Sequence, residues 1–152
     1  MLNEASAQAE QSDQPFPRTM TRTAAILYTS ITASVIAFQI ALAAGAPWGA
    51  YAMGGAYPGQ FPPALRVAAL VQGALLGAMA AIVLARAGLI LHRWTRPTRW
   101  LVWGVVAFTA VSLVLNLITP SVGERKLWAP VAAVLLVCSS VVALGKSAKH
   151  SP

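Results

Sequence analysis

An all-α membrane protein, folded as an antiparallel four-transmembrane-helix bundle, is what this chain predicts. Three features predict it: four uncharged apolar stretches at 24–44, 67–85, 100–118 and 127–145, the turn-rich connections between them, and the gathering of charge at their ends. Each stretch is about 19 to 21 residues long, and at ~1.5 Å rise per residue that crosses a hydrocarbon core ~30 Å thick. The 152 residues are 57% hydrophobic and 10% charged, too little polar surface to coat a water-soluble globule of this size.

The expected organisation is a disordered cytoplasmic tail over 1–20, a four-helix transmembrane domain over 21–147, and a short cytoplasmic tail over 148–152. Within the domain, helices are expected near 24–44, 64–91, 100–118 and 124–146. The first tail carries Glu4, Glu10 and Asp13 among Gln, Ser and Pro, with no apolar periodicity.

The first span begins after Arg18 and Arg22 and ends near Gly45. Ala44-Gly45-Ala46 has the small-x-small pattern of a signal-peptidase site, but the segment is longer than a usual signal h-region and follows a long tail, so its retention is expected. The connection over 45–63 is dense in Gly, Pro and aromatics, including Trp48, Tyr51 and Tyr57, and is expected to fold over the bundle mouth rather than extend into water.

Pro62 and Pro63 suit the start of the second span, where a missing amide donor costs nothing. Arg86 falls about one turn inside the far end of that span and is expected to snorkel to the headgroups. The basic turn from His92 to Arg99 forces the second and third spans to lie antiparallel and adjacent. After the third span, Ser121 with Glu124 fits the S-x-x-E capping box, Thr119 before Pro120 is an alternative N-cap, and a kink in the fourth span is expected near Pro130.

The net charge of +7 would favour nucleic acid in a soluble protein, but here the basic residues flank apolar segments, so no nucleic-acid partner is expected. Placing both termini in the cytoplasm puts Arg18, Arg22, Arg93, Arg96, Arg99, Lys146 and Lys149 inside, against Arg66, Arg125 and Lys126 outside. That is the positive-inside distribution. The aromatics agree, with Trp94, Trp100 and Trp103 near the inner interface and Trp48, Tyr51, Tyr57 and Trp128 near the outer one.

Small residues recur at four-residue spacing in the first span (Ala33, Ala37, Ala41) and the second (Ala69, Gly73, Gly77, Ala81), which lets helix backbones approach closely in lipid. Gly73 and Gly77 are therefore helix-packing candidates, for the first span or for a homodimer seam. Cys138, the only cysteine, falls inside the fourth span and is expected to act as a small apolar filler.

Chemistry-bearing groups are scarce. Glu124 is the only carboxylate after Asp13, and His92, His150 and Cys138 are far apart in the chain. No paired carboxylates, Cys/His nucleophile, metal set or phosphate-binding loop is present, so the expectation is a protein that is not an enzyme and needs no cofactor or metal. What remains is a polar layer in the outer half: Gln39, Gln72 and Asn116, expected to face the interior because an unpaired amide in hydrocarbon is costly. They would bond one another as interhelical glue, with Glu124 capping the fourth helix or pairing with Arg66. The functional expectation is an outward-facing cleft in which Gln39, Trp48, Arg66, Gln72, Asn116 and Glu124 hold a ligand.

The segments Gly45-Ala46-Pro47-Trp48-Gly49, Gly54-Gly55, Pro62-Pro63 with Leu65-Arg66, and Asn116-Leu117-Ile118-Thr119-Pro120-Ser121 with Glu124-Arg125, Trp128 and Pro130 carry a resemblance. In them the chain resembles a family of small bacterial four-span integral membrane proteins with no established activity. The resemblance spans nearly everything from the first helix onward. It implies four spans in a bacterial cytoplasmic membrane and brings no catalytic role with it.

The functional expectation is thus a binding or accessory module whose partners are the bilayer, a lipid or small amphiphile, and a homo-oligomer or a larger membrane protein. A homo-oligomeric small-molecule transporter or channel is the alternative, against which stands the lack of an embedded carboxylate or histidine relay. A membrane enzyme using Glu124 as acid/base is the remaining reading.

Overall fold

The computed structural model describes residues 16–91 and 95–145. Four long helices make up the fold: α1 Arg18–Ala44, α2 Pro63–Arg86, α3 Thr95–Ile118 and α4 Val122–Leu144. All four are long and apolar enough to cross a membrane. The expected tails at 1–15 and 146–152, and His92, Arg93 and Trp94 of the basic turn, lie outside the described residues.

Helix ends follow local chemistry. α1 starts six residues before the apolar stretch, at Arg18, because Pro17 and the Thr21 hydroxyl supply a first turn: Thr21 Oγ1 donates to the Pro17 carbonyl at 3.3 Å. It ends in a Schellman turn, with Gly45 at φ 100° and the Ala46 amide donating to the Ala41 carbonyl at 2.9 Å. α2 opens with Pro63 in its first turn, as expected, but ends at Arg86 rather than near 91, where Gly88 at φ 71° and Leu91 at φ 49° take the chain out of the helix. α3 starts at Thr95, with Pro97 in its first turn. α4 is capped by Ser121, whose hydroxyl accepts from the Glu124 amide at 3.2 Å, and it runs on through Pro130 to Leu144.

Around the bundle, α1 packs closely on α2, α3 on α4, and α1 on α4, while α2 and α3 touch more sparsely. Gly73 and Gly77 lie against α1: a Cβ added at Gly73 would come 3.7 Å from the Gln39 Cβ, and one at Gly77 4.0 Å from Ile36 Cδ1. This is the close backbone approach that small residues permit in lipid.

The core is uneven along the bundle axis. One end carries residue 16, the α2–α3 connection and Gly145; here Tyr28, Met79, Val83, Val102, Val105, Leu135, Cys138 and Val142 form the main buried cluster. Ser139 and Thr109 join α3 to α4 through hydroxyls 3.2 Å apart in this half. The opposite end, under the 45–62 loop, has only a small buried cluster of Leu42, Phe61 and Ala69. Dense packing at the terminal end and thin packing at the loop end leave room for a cavity.

Arg86 departs from the snorkelling expectation. It is only 7% exposed, and its guanidinium turns inward under the end of α4 to donate to the Gly145 carbonyl. The terminal carbonyls of α4 have no intrahelical donors, and a cation at that negative dipole end satisfies one of them. Gly145 is pressed on the other side by Thr21, so this contact ties α1, α2 and α4 together.

Candidate functional site

The loop over 45–62 is a folded lid. Two 3-10 turns, Gly49–Tyr51 and Met53–Gly55, carry it across to the α3–α4 turn. Gly49 makes the first close approach possible: its amide donates to the Gly59 carbonyl at 3.0 Å, and a Cβ at this position would sit 2.0 Å from the Tyr57 carbonyl oxygen. Across the bundle, Ser121 Oγ donates to the Ala50 carbonyl at 3.1 Å, and Trp128 Nε1 donates to the Tyr51 carbonyl at 2.7 Å. Phe38 of α1 stacks on Trp48 at 6.0 Å and meets Trp128 edge-on at 4.8 Å.

Beneath this lid lies a cavity of about 630 Å³. Each helix contributes one face of it at helical spacing: Val35, Phe38 and Gln39 from α1; Leu65, Ala69, Gln72 and Leu76 from α2; Phe108, Ser112, Leu115 and Asn116 from α3; Glu124, Trp128, Ala132 and Leu135 from α4, with Thr119 added from the turn between α3 and α4. Tyr51, Met53 and Gly54 close the top, and Tyr28 reaches the floor. Its polar groups cluster in the half nearer the lid.

The side wall between α2 and α3 is open. Ala68 and Gln72 on α2 and Val111 and Leu115 on α3 line the cavity and yet are exposed, at the sparsest contact between adjacent helices. These residues lie roughly 5 to 14 Å below the loop ends of their helices at ~1.5 Å per residue, which is hydrocarbon depth rather than water. Tyr51, Met53, Ile118 and Pro120 line the cavity at the loop end and are exposed as well, so it meets the surface both along the α2–α3 seam and beside the lid.

Of the six residues expected to form a site, Gln39, Gln72, Asn116 and Glu124 line this cavity, whereas Trp48 and Arg66 do not. Trp48 buttresses the lid through Phe38 from outside. Arg66 folds back on its own loop, where Nε donates to the Phe61 carbonyl at 2.8 Å and Nη2 reaches Gln60 Oε1 at 3.5 Å, with its guanidinium under Gly45.

The amides do not bond one another either. Asn116 donates to the Ser112 carbonyl one turn back at 2.8 Å, while Gln39, 8% exposed, and Gln72 have no hydrogen bond among the described residues. Glu124 is in no ion pair among the described residues. Its carboxylate accepts the Thr119 hydroxyl at 2.9 Å, and Arg125, outside the cavity lining, donates to the Thr119 carbonyl at 2.7 Å. The S-x-x-E box is thus half formed: Ser121 caps the helix, and the Glu124 side chain is left facing the cavity.

Residues beyond the expected set complete the site: Phe38, Tyr51 and Trp128 as an aromatic wall, and Thr109 and Ser112 as hydroxyls on the α3 face. The Trp128 position was legible, because it follows Glu124 by four residues on one helix face.

Four apolar spanning helices, packed as a bundle around a lidded cavity with a lateral opening, define a multi-pass integral membrane protein. No protein-family model, curated protein or solved structure matches the chain.

Proposed function

We propose that the protein is a non-catalytic binding or accessory module of a bacterial cytoplasmic membrane that takes a lipid or small amphiphile from the bilayer into the cavity beneath its lid. The loop end faces outward and both termini face the cytoplasm, the orientation that the basic residues favour. The observation that carries this reading is the lateral opening at hydrocarbon depth into about 630 Å³ of space, apolar toward its floor and polar near the lid. That volume lies within the ~300 to 1,000 Å³ of ordinary small-molecule sites. An amphiphile entering between α2 and α3 keeps its chain in apolar surroundings throughout and offers its polar group to Gln39, Gln72 and Glu124.

Native mass spectrometry of the protein released from nanodiscs tests this. The expected spectrum contains a monomer retaining a discrete non-detergent adduct, which Ala132→Leu removes by filling the cavity from α4, where Ala132 is buried in the lining. A ligand-free spectrum, or an adduct indifferent to Ala132→Leu, overturns the reading. A defined ligand-free oligomer moves the weight to the transport alternative.

A further inference from the structure

The charge balance of the cavity identifies the ligand more closely, on the basis of the binding reading above. Arg66 donates to the Phe61 carbonyl and Arg125 to the Thr119 carbonyl, and neither these nor Lys126 lines the cavity. The one carboxylate in the lining, among the described residues, is Glu124. One turn along the same face of α4 stands Trp128, with Phe38 edge-on to it at 4.8 Å and Tyr51 above. Gln39, 8% exposed and without a hydrogen bond among the described residues, lines the same space.

A carboxylate one helical turn from an aromatic cluster, in a lining that holds no cation, is complementary to a positive ligand. The faces of aromatic rings attract cations, and partial removal from water strengthens the attraction of the carboxylate for an opposite charge. An anionic headgroup would meet Glu124 with no arginine or lysine in the lining to bind it. We infer that the cavity is a binding site for lipophilic cations: molecules with a quaternary or protonated nitrogen, or another delocalised onium centre, carried on an apolar body. The positive centre sits between Glu124 and the Phe38–Trp128 pair, and the apolar body fills the space toward Leu76 and Leu135.

Two probes of matched shape and opposite charge, tetraphenylphosphonium and tetraphenylborate, separate this from simple hydrophobic uptake, with triphenylphosphine oxide as a neutral reference. Binding is read by equilibrium dialysis against the protein in phosphatidylcholine nanodiscs, with empty nanodiscs subtracted. The expected result is saturable binding of the phosphonium alone, weakened at least tenfold by Glu124→Gln and several-fold by Phe38→Leu. The side-chain amide oxygen that Glu124→Gln leaves in place can still accept the Thr119 hydroxyl, and thermal melts of both variants check that the fold is kept.

Borate or the neutral oxide binding as tightly as the phosphonium, or phosphonium binding unchanged in Glu124→Gln, overturns cation selectivity. If that binding is still lost in Ala132→Leu, the cavity reading survives without it. Absence of saturable binding by every probe also overturns the cation site, and the retained adduct in native mass spectra then decides the binding reading alone.

Discussion

Trp128 and Tyr51, 77 positions apart in the chain, are joined by a 2.7 Å hydrogen bond from the indole Nε1 to the Tyr51 carbonyl, and this bond pins the lid to α4. Because the same indole lines the cavity and packs on Phe38, the closing of the lid and the shape of the site depend on one side chain.

Trp128→Phe keeps an aromatic ring against Phe38 but removes the N–H donor together with part of the ring area. A loss of about 0.5 to 1.5 kcal/mol is expected for the lid, seen as faster amide exchange across residues 48–60 in nanodiscs with exchange in α2 and α3 unchanged. Unaltered exchange in the loop would mean that the bond does not hold it.

Two lid glycines are expected to respond differently to alanine. At Gly49 the new Cβ meets the Tyr57 carbonyl oxygen at 2.0 Å, so Gly49→Ala should cost about 3 kcal/mol or more and disorder the loop. At Gly59 nothing lies within 4 Å, and only its φ of 102° opposes a side chain, so Gly59→Ala should cost about 1 to 2 kcal/mol. Thermal denaturation in a mild detergent ranks the two, and equal losses would contradict the close approach at Gly49.

Thr109 and Ser139 share the buried contact between α3 and α4, at 3.2 Å. A double-mutant cycle with Thr109→Val and Ser139→Ala is expected to return a coupling of about 0.6 kcal/mol, the usual value for interhelical hydrogen bonds in membranes. A coupling indistinguishable from zero would show that each hydroxyl is satisfied by its own helix, where Thr109 also reaches the Val105 carbonyl and Ser139 the Leu136 carbonyl.

Arg86 and Arg99 are both basic residues at the terminal end, but Arg86 is buried and Arg99 exposed. In a Cys138→Ser background, a membrane-impermeant maleimide should label Arg99→Cys and leave Arg86→Cys largely unmodified. In intact cells Arg99→Cys should label only after permeabilisation, as cytoplasmic termini require. Labelling of Arg99→Cys without permeabilisation would invert the topology, and equal labelling of both positions would return Arg86 to the headgroups.

The amino-acid sequence by itself determined the four spans, because length and apolarity are all that a bilayer demands of a helix. It also determined the helix end near Gly45 and the common depth of Gln39, Gln72 and Asn116, since helix rise sets the depth of each residue. Only the tertiary structure decided that Gln39 and Gln72 do not bond Asn116, that Arg66 turns to its own loop, that Arg86 points inward, and that the cavity opens between α2 and α3. Periodicity identifies which residues share a face of one helix. It carries no information on how that helix is rotated against its neighbours, and that rotation decides which polar groups meet and which wall stays open.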